Sequence, residues 1–566
     1  MTRQSLELRL QPDASRYCVP GFLEDVTQRG GERPAIRFEG RDLSYRELNR
    51  EARALAKGLI ACGVSKGTRV GVLMANRPEW VIASFAVGLV GGVLIPVNTF
   101  ATPGERDYIL RHSDASLLLL QHTLLKRNFL QELQASHPEI VTAAPGRLRC
   151  PALPALRGGA VLGGDRLGAI AGWDEFVAAG TGVADELLDE VAAEVTPADD
   201  GVIIYTSGTT AHPKGVLHFQ RAPVIQSWRF ADYMQLAADD VVWTAQPFFW
   251  TAGMTMSLGS TLAASACLVL QETFEPESAL ALIERERATT LLAWPHQEKA
   301  MAEHPTAVST DLSSVRKIEF SSPLASLAGI EEDTWGIYAS YGLSETFTLA
   351  SGLPASASSE RRRNTSGRPL PGMSIRILDP QTGLPVDVGQ KGELAVKGAT
   401  LMRGYYKLDP SLYFDEDGYF RTQDGGWLDE EGDLHWTGRL SNLIKTGGAN
   451  VSPVEIEQAL APSEDIRVAL AVGVPHPVLG EAVVLCVVRG DAARIDEASR
   501  QSGIREQLRH KLAAYKVPKC VLFFDADELD YTANQKIQVG PLRETALARL
   551  QLLRVVIDGV RYGELE

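Results

Sequence analysis

The chain has 566 residues, more than one ordinary domain accommodates, and its 45% hydrophobic and 22% charged residues are typical of a soluble globular protein. Its formal net charge of −15 argues against broad nucleic-acid binding, which requires a basic face, so any anionic ligand needs a locally positive site. No signal-peptide pattern or membrane-spanning run is found, and six scattered cysteines indicate reduced core thiols, so we expect a cytoplasmic protein.

The first 350 residues alternate between helical and strand-like patterns. Ser44, with Glu47 three positions later, predicts a capping box that starts a helix. Further along, strand-like residues at 69–74 and 92–97 flank a helical pattern at 79–90. Strands that alternate with helices predict α/β layers built on parallel sheet.

The remaining chain changes its pattern several times. Residues 143–168 cluster Pro, Gly and Arg, and predict a surface insertion or flexible loop. Residues 375–398 contain short strand-like runs and Gly/Pro turns, which predict a small β-rich subdomain. After Arg439 an α+β unit of about the modal domain size begins. We therefore expect two domains, at 1–440 and 441–566.

The most informative motif is Tyr-Thr-Ser-Gly-Thr-Thr-Ala-His-Pro-Lys-Gly at residues 205–215, directly after the apolar run 202–204. Glycine lets backbone N–H groups turn inward, the hydroxyls add donors and Lys214 adds positive charge, so the loop is suited to wrap a polyphosphate. It is not a Walker A loop, because Gly215 rather than Ser or Thr follows the lysine. A polar surface turn is the alternative for any such cluster.

Two further segments carry residues suited to binding a nucleotide. In residues 338–346, Tyr341 beside Gly342 offers a ring and an open backbone for a flat base, and Glu345 is a hard oxygen ligand for phosphate-bound Mg²⁺. Later, Asp424 can accept both hydroxyls of a ribose. An exposed glutamate and an ordinary surface turn are the alternatives.

Two segments near the C-terminus complete the set. Residues 436–457 place Arg439 before a Gly-rich loop and the start of a helix. Residues 531–538 form a polar turn that carries Lys536. Taken singly, these segments are equally compatible with an interdomain linker and a solvated lysine.

In this order, the five segments resemble those of the adenylate-forming (ANL) superfamily, which includes acyl-CoA synthetases, firefly luciferase and peptide-synthetase adenylation domains. The resemblance covers residues 20–545, and the segment at 205–215 is the most specific. It implies an α/β fold with a large N-terminal domain of several subdomains, containing parallel sheets, helices and a β-rich subdomain. A small mobile α+β C-terminal domain follows.

The resemblance also implies two half-reactions. ATP and a carboxylate give an acyl-adenylate and pyrophosphate, and a thiol, commonly that of coenzyme A, then displaces AMP. The C-terminal domain rotates between the steps. The implied cofactors are therefore ATP, Mg²⁺ and coenzyme A.

Single residues acquire roles from the same resemblance. Lys536 matches the adenylation lysine, which lies between the carboxylate and the α-phosphate and stabilises the transition-state charge. Glu345 would hold Mg²⁺, which neutralises phosphate oxygens. Asp424 and Arg439 match the pair that holds the ribose. The phosphate-loop and base-binding positions are Thr206, Ser207, Gly208, Thr209, Thr210, Lys214, Ser321, Ser322, Pro323, Tyr341 and Gly342.

The thiol step is assigned in the same way. Lys445, Gly447 and Gly448 match the region that is brought to the active site for thioester formation. The hinge, two residues after the arginine, is usually Asp or Lys and is Ser441 in this chain. A small polar hinge still allows rotation, so the departure concerns the kinetics more than the reaction.

Other departures concern the catalytic lysine and the ribose segment. Gln535 replaces the usual glycine before Lys536, and Asp530 replaces the usual proline six residues before it. A lost glycine matters where the backbone needs a positive φ, so the pose of the lysine is open. In the usual Thr-Gly-Asp triplet, Gln423 replaces the glycine and Asp424 is kept.

The acid pocket is matched by residues 247–254, Pro-Phe-Phe-Trp-Thr-Ala-Gly-Met. This segment contains no lysine or aspartate to anchor an amino acid, so we expect a hydrophobic acid: fatty, aryl or steroid-like. Ordinary core packing is the alternative for its aromatic residues. The predicted pocket residues are Phe249, Trp250, Gly253, Trp294, Thr346 and Phe347.

Three functional hypotheses follow. The first is an AMP-forming acyl-CoA synthetase acting on a small-molecule acid. The second is an adenylating enzyme whose acceptor is a carrier-protein thiol or an amine. The third is a nucleotide- or acyl-binding protein with impaired catalysis, suggested by Gln535, Asp530 and Ser441. No nucleic-acid partner is expected, whereas a homodimer and peripheral membrane contact stay open.

Overall fold

The computed structural model describes most of the chain. Predictions for residues 207–210, Ser441, Asp530, Gln535 and Lys536 lie outside the described residues, and Arg439 is described in its backbone alone. The described ranges are 13–206, 213–380, 382–440, 444–460, 466–489, 496–525, 528–529, 537 and 539–563.

A large sheet organises the first half of the chain. Six of its eight described strands are parallel, and the two at one edge are antiparallel. The strand order is Gly404–Tyr405, Lys214–Phe219, Asp200–Thr206, Val93–Pro96, Arg69–Leu73, Leu117–Gln121, Gly158–Leu162 and Ile170–Gly172.

Both faces of this large sheet are buried, which explains its apolar runs. Within one strand, Val202 and Ile204 join one hydrophobic cluster, whereas Ile203 joins another on the opposite face. Successive strand residues point to opposite faces, so a sheet covered on both sides needs apolar residues throughout. The continuous apolar sequences predicted as strands therefore form the interior of an α/β domain.

A second sheet packs nearby and is mostly parallel. Its strands, in order, are Thr290–Leu292, Val241–Thr244, Cys267–Leu270, Pro34–Phe38 and Arg41–Ser44. The α-helices of the N-terminal region are Val19–Gly30, Tyr45–Ala61, Pro78–Leu89, Pro103–His112, Phe129–Ser136, Glu139–Thr142, Trp173–Ala178, Asp185–Ala193, Arg221–Tyr233, Ser260–Ala263, Pro276–Glu286, Pro295–Ala302, Pro323–Leu327 and Ser359–Asn364.

The predicted capping box is present in the structure. Ser44 accepts a hydrogen bond from the backbone of Glu47, whose side chain accepts one from Ser44 in return. These two bonds satisfy donors that a helix start leaves unpaired. The helix Tyr45–Ala61 therefore begins where the sequence indicates.

Two antiparallel sheets form the β-rich part of the N-terminal region. The smaller contains Ser340–Tyr341, Ser351–Gly352 and Arg368–Pro369. The larger contains Met373–Leu378, Gly392–Gly398, Phe420–Leu428 and Leu434–Arg439. Their presence agrees with the subdomain expected at 375–398.

The C-terminal module has its own sheet with helices on both faces. The strands are Ala449–Val451, Ile444–Thr446, Gly480–Arg489, Ile466–His476 and, paired parallel to Gly480–Arg489, Cys520–Phe524. Its α-helices are Pro453–Ala459, Glu497–Arg509 and Val539–Leu552. Together with the N-terminal layers, this module establishes the predicted α/β fold class, while the boundary at 440/441 stays a prediction.

Short elements complete the described structure. They are the hairpins Thr123–Leu124 with Arg127–Asn128 and Val556–Ile557 with Val560–Arg561, the π-helix Gly253–Gly259, and the 3-10 turns Ala14–Arg16, Ala179–Gly182, Ala307–Ser309, Ser344–Thr346, Pro410–Leu412 and Ala514–Lys516. Within the described ranges, no helix combines the length and apolar character needed to cross a membrane. All six cysteines are unpaired, and only Cys62 is exposed.

The prediction of a surface insertion or flexible loop at 143–168 is wrong for residues 158–162. Gly158–Leu162 is a buried strand inside the large sheet, between Leu117–Gln121 and Ile170–Gly172. Its glycines reflect close packing, because a Cβ at Gly159 would overlap the carbonyl oxygen of Leu118. Close backbone approach is a known role of glycine in strands, which composition alone cannot distinguish from a loop.

Candidate active site

The ends of the phosphate-loop segment lie on paired strands of the large sheet. Asp200–Thr206 runs parallel to Val93–Pro96, and Thr206 pairs with Lys214 on the antiparallel return strand. The loop between them therefore leaves the carboxyl end of a parallel strand, which is where α/β sheets bind ligands. Positions 207–210 lie outside the described residues.

Tyr405 links the lysine of this segment to the predicted magnesium ligand. Lys214 Nζ lies 4.7 Å from the ring centroid of Tyr405, a cation–π contact. The Tyr405 hydroxyl donates a 2.6 Å hydrogen bond to Glu345 Oε1. Two residues predicted from separate segments, Lys214 and Glu345, therefore contact one tyrosine.

Glu345 fits the expected role of a single carboxylate for Mg²⁺. Within the described ranges, it belongs to no group of three or more potential metal ligands. Mg²⁺ bound to phosphates usually takes one or two carboxylates and fills its other positions with phosphate oxygens and water. A lone carboxylate near a phosphate loop is consistent with that pattern.

The chain after Glu345 has a strained backbone. Phe347 has a φ of 51° and Thr348 a φ of 92°, both in the region that favours glycine. His218 supports this turn, because its Nε2 lies 2.7 Å from the Ser344 carbonyl and its ring contacts Phe347 edge-on at 4.7 Å. Burial lowers the pKa of His218 to about 3, so the ring is neutral. Such strain persists where surrounding contacts enforce it, as they often do at functional sites.

The ribose and base segments also meet. The Tyr341 hydroxyl donates a 2.8 Å hydrogen bond to Asp424 Oδ2, and Asp424 is fully buried. In the strand register, Asp424 pairs with the backbone of Arg439. Tyr341 is itself buried, and the Cβ position of Gly342 is occupied by the Thr348 carbonyl. The backbone at Gly342 is therefore packed rather than open, contrary to the prediction.

The backbone at Gln423 explains why glycine is usual at this position of the Thr-Gly-Asp triplet. Its φ is 59°, a left-handed conformation that glycine adopts without a steric penalty. Its N–H donates to Glu393 Oε1 at 3.0 Å, which helps to hold this backbone. The triplet therefore keeps the left-handed backbone that suits the usual glycine, although glutamine adopts this conformation less readily.

A cavity of about 490 Å³ lies beside residues 321–323, the predicted base segment. Ser321, Tyr338 and Ala339 are among its lining residues. Next to Ser321, Ser322 caps the helix Pro323–Leu327 through a hydrogen bond from the Leu324 N–H. Ser321 and Pro323 are both exposed. The predicted base segment thus borders a space large enough for a heterocycle.

Behind the base segment lies a buried carboxyl group. Burial raises the pKa of Glu298 to about 7, although a hydrogen bond with Ser322 acts in the opposite direction. The Glu319 charge adds to the increase. A carboxyl group with a pKa of about 7 is therefore hydrogen-bonded to Ser322 of the predicted base segment.

The predicted acid segment is aromatic and closely packed. Trp250 contacts the rings of Phe249, Phe100 and Tyr515, at centroid distances of 5.2, 6.3 and 6.3 Å. Gly253 then begins the π-helix Gly253–Gly259, an element frequently found at functional sites. Only glycine fits at this position, because a Cβ would overlap the carbonyl group of Pro247.

Thr346 and Phe347 are fully buried. The threonine hydroxyl bonds to the Leu343 backbone, and the Phe347 ring packs on His218. These contacts are sufficient to explain both residues as interior packing. Their part in the acid pocket stays a prediction.

The glycine loop of the C-terminal module lies against the N-terminal region. A Cβ at Gly448 would be 3.1 Å from the Trp294 ring, and one at Gly447 would be 3.8 Å from the His296 ring. Both glycines have positive φ values, 54° at Gly447 and 81° at Gly448. The structure therefore joins the predicted thiol-transfer loop to a predicted acid-pocket residue.

Lys445 makes a different contact. Its Nζ is 3.9 Å from the centroid of the Trp436 ring, on the last strand of the N-terminal β-rich sheet. Its backbone N–H donates to Glu481 at 2.7 Å. The side chain therefore spans the junction of the two regions, which the sequence did not indicate.

A small cavity of about 30 Å³ brings the components together. Its lining includes Tyr205 and Pro213 from the two ends of the phosphate-loop segment, Trp250 from the acid segment, and Tyr515 and Lys516 from the C-terminal module. Tyr405, Tyr515 and Lys516 were missed by the sequence analysis. Each lies in a segment without a recognisable motif, so only their spatial neighbours identify them.

Comparison with known proteins assigns the chain to a family. The model of the AMP-binding enzyme family matches residues 23–406, and that of the AMP-binding enzyme C-terminal domain matches residues 455–536. Feruloyl-CoA synthase from Amycolatopsis sp is 31% identical over 523 residues, covering 90% of this chain and 95% of that protein. Indoleacetate–CoA ligase from Aromatoleum aromaticum is 31% identical over 522 residues, covering 90% and 94%.

Solved structures agree with this assignment. The amide bond synthetase McbA from Marinactinospora thermotolerans matches with a TM-score of 0.72 and 26% sequence identity. The match covers 93% of this chain and 99% of that one. The likeness therefore includes both the N-terminal region and the C-terminal module.

Proposed function

Because the chain belongs to the family of AMP-binding enzymes, we propose that it activates a hydrophobic carboxylic acid with ATP and transfers the acyl group to coenzyme A. The first half-reaction gives an acyl-adenylate and pyrophosphate, and the second gives acyl-CoA and AMP. One observation carries this proposal: the phosphate-loop segment, the acid segment and the C-terminal module border one cavity. A two-step reaction of this kind requires those three components to meet.

In the first half-reaction, the chain must bind the triphosphate and screen its charge from the acid. Lys214 supplies positive charge at the end of the phosphate loop, and Tyr405 holds it near Glu345. Mg²⁺ held at Glu345 would neutralise phosphate oxygens. Lys536, assigned by the family resemblance, would stabilise the charge that develops between the carboxylate and the α-phosphate.

The nucleoside would lie between the ribose and base segments. Asp424 presents a buried carboxylate that Tyr341 orients through a hydrogen bond. A cavity is lined by Ser321 and by Ala339, which lies two residues before Tyr341 in the chain. We assign the ribose hydroxyls to Asp424 and Arg439, and the adenine ring to the space next to Tyr341.

For the second half-reaction, the close approach of Gly448 to Trp294 supports a role in admitting the thiol. A side chain at either glycine would fill the space between the loop and the aromatic residues.

A hydrophobic acid is supported by the lining of the acid segment. Residues 247–254 contain no charged side chain, and Trp250 lies among three other aromatic rings. Two relatives are named for feruloyl and indoleacetate substrates, both of which carry an aromatic ring. We therefore favour an aryl acid among the three hydrophobic classes.

The direct test is a panel of carboxylic acids in a pyrophosphate-release assay with ATP and Mg²⁺. We expect release with at least one aryl or other hydrophobic acid, followed by AMP release that requires coenzyme A. Pyrophosphate release with no thioester from any acid would refute the proposed acceptor. ATP binding without any pyrophosphate exchange would instead favour a binding protein with impaired catalysis.

Two variants separate the half-reactions. Lys536→Ala should abolish adenylation and leave thioester formation from supplied acyl-AMP largely intact. Lys445→Ala should leave adenylation intact and, if it has an effect, slow the thiol step. Equal loss of both steps in Lys536→Ala would contradict the assigned role of this lysine.

An amine is the second candidate acceptor. The match to an amide bond synthetase over both parts of the chain supports it. Supplying acid, ATP and an amine in place of coenzyme A distinguishes the two reactions by mass spectrometry of the product. An amide formed faster than the thioester would favour this alternative, and acyl transfer to a holo-carrier protein is tested in the same assay.

A further inference from the structure

A buried ion-pair cluster joins the two parts of the chain next to the small cavity. Lys516 Nζ lies 2.8 Å from Glu105 Oε1 and 2.7 Å from Glu455 Oε1. The side chains of Lys516, Glu105 and Glu455 are only 5%, 11% and 6% exposed. Glu105 belongs to the N-terminal region, whereas the other two belong to the C-terminal module, 411 residues separating Lys516 from Glu105.

Each carboxylate is fixed by its own helix. Glu105 is the third residue of Pro103–His112, and its Oε2 accepts a 2.8 Å hydrogen bond from the Thr102 N–H in a capping box. Its Oε1 is therefore aimed at Lys516. Glu455 lies at the start of Pro453–Ala459 and holds the same ammonium within the C-terminal module.

The electrostatics favour a charged lysine in this position. Burial opposes the charged form, but Tyr515, Glu455 and Glu105 together raise the pKa of Lys516 above its ordinary value. Burial raises the pKa of Glu455, against the attraction of Lys516. If the domains separate, Lys516 keeps Glu455, and Glu105 loses its cation. The contact between Lys516 and Glu105 therefore depends on this one domain orientation.

We propose that Lys516 is a positioning residue that docks on Glu105 and so holds the C-terminal module in the orientation that places Gly447 and Gly448 against Trp294 and His296. The proposal rests on the proposed function, because that orientation would serve the coenzyme A-dependent half-reaction. Glu455 pre-orients the lysine, and Glu105 is its receptor on the N-terminal region. The neighbouring Tyr515 adds a ring contact to Trp250.

Two variants remove the contact from opposite sides. Lys516→Met keeps the length of the side chain and removes its charge. Glu105→Gln removes the charge on the other partner, while glutamine at this position still closes a capping box. Each should slow the coenzyme A-dependent release of AMP about tenfold, because the docked orientation loses the attraction between Lys516 and Glu105. Pyrophosphate release without coenzyme A should fall by a smaller factor than the coenzyme A-dependent step, although both residues line the small cavity.

Matched variants separate docking from folding. Lys511→Met is the control, because Lys511 is exposed and its ammonium bonds to the Ala459 carbonyl of the same module. It should leave both half-reactions unchanged. In the double variant of Glu105 and Lys516, the loss should be no larger than in the worse single variant, since both act through one contact. Additive losses, or equal slowing of both half-reactions, would overturn the proposal.

A distance measurement tests the docking without relying on coenzyme A. Cys62 is the one exposed cysteine of the six, so it accepts a spin label selectively. A second label at Glu544→Cys, on an exposed position of the C-terminal module, reports the interdomain distance. Lys516→Met and Glu105→Gln should broaden the distance distribution, and Lys511→Met should not. Unchanged distributions would refute the docking role even if the parent enzyme forms no thioester.

Discussion

The carboxyl group of Glu298 gives a pH-dependent prediction with a defined sign. The side chain is buried behind the base segment, at 4% exposure, and burial raises its pKa from 4.5 to about 7. A group with a raised pKa in the folded state contributes stability that is fully present below its unfolded pKa and is lost as the pH rises through its folded pKa. The relevant window is therefore pH 4.5 to about 7.

The magnitude follows from the size of the shift. Each unit of difference in pKa corresponds to about 1.4 kcal/mol, so Glu298 costs the folded state about 3 kcal/mol at high pH. Glu298→Gln removes this titration and keeps the shape of the side chain. As the pH rises from 4.5 to 8.5, the unfolding free energy of the variant should therefore increase by about 3 kcal/mol relative to that of the parent.

Chemical denaturation followed by tryptophan fluorescence measures this difference. All nine tryptophans precede residue 440, so the signal reports the N-terminal region alone. Glu303→Gln, at an exposed position five residues further along the chain, is the control and should follow the pH dependence of the parent. A difference between Glu298→Gln and the parent that is the same at both pH values would refute the reasoning.

Three other substitutions test particular contacts. Tyr405→Phe removes the hydrogen bond to Glu345 and should raise the Mg²⁺ concentration for half-maximal pyrophosphate release about tenfold. The control Tyr406→Phe, which loses a bond to Asp114, should leave this concentration unchanged. Equal Mg²⁺ requirements in the two variants would contradict the role of Tyr405. Gln423→Gly relieves a φ of 59° and should raise the unfolding free energy by about 0.5 kcal/mol, which Gln423→Ala should not do. Gly159→Ala should lower the free energy of unfolding by about 2 kcal/mol, because the new Cβ overlaps Leu118. Gly182→Ala is the control, since a Cβ there meets no neighbour. An unchanged free energy of unfolding in Gly159→Ala would indicate that the strands can separate.

Local sequence signals predicted the framework well. The Ser44 capping box and the apolar run 202–204 both occur as expected, because each depends on residues only a few positions apart. The family and the fold class were predicted from five short segments and are confirmed. The buried strand at Gly158–Leu162 was missed, because its glycines reflect a neighbouring strand rather than a turn.

The contacts that connect the site were not predictable in the same way. The bond between Tyr405 and Glu345 joins residues 60 positions apart. Tyr405 has no motif of its own, and its importance follows from the strand that pairs with Lys214–Phe219. Lys516 likewise resembles a solvated lysine in sequence. Its burial depends on a carboxylate contributed by the other part of the chain.

The interface between the two parts combines contacts with opposite requirements. The approach of Gly448 to Trp294 depends on the absence of a side chain, whereas Lys516 must place a full charge against Glu105. Neither contact would survive a small shift of the module, because the first is steric and the second loses most of its energy when water enters. Tyr515 connects this interface to Trp250 and hence to the acid segment. If the acid binds at Trp250 as we propose, its side chain and the domain orientation act on the same aromatic contact, which would give acid binding a physical route to influence the second half-reaction.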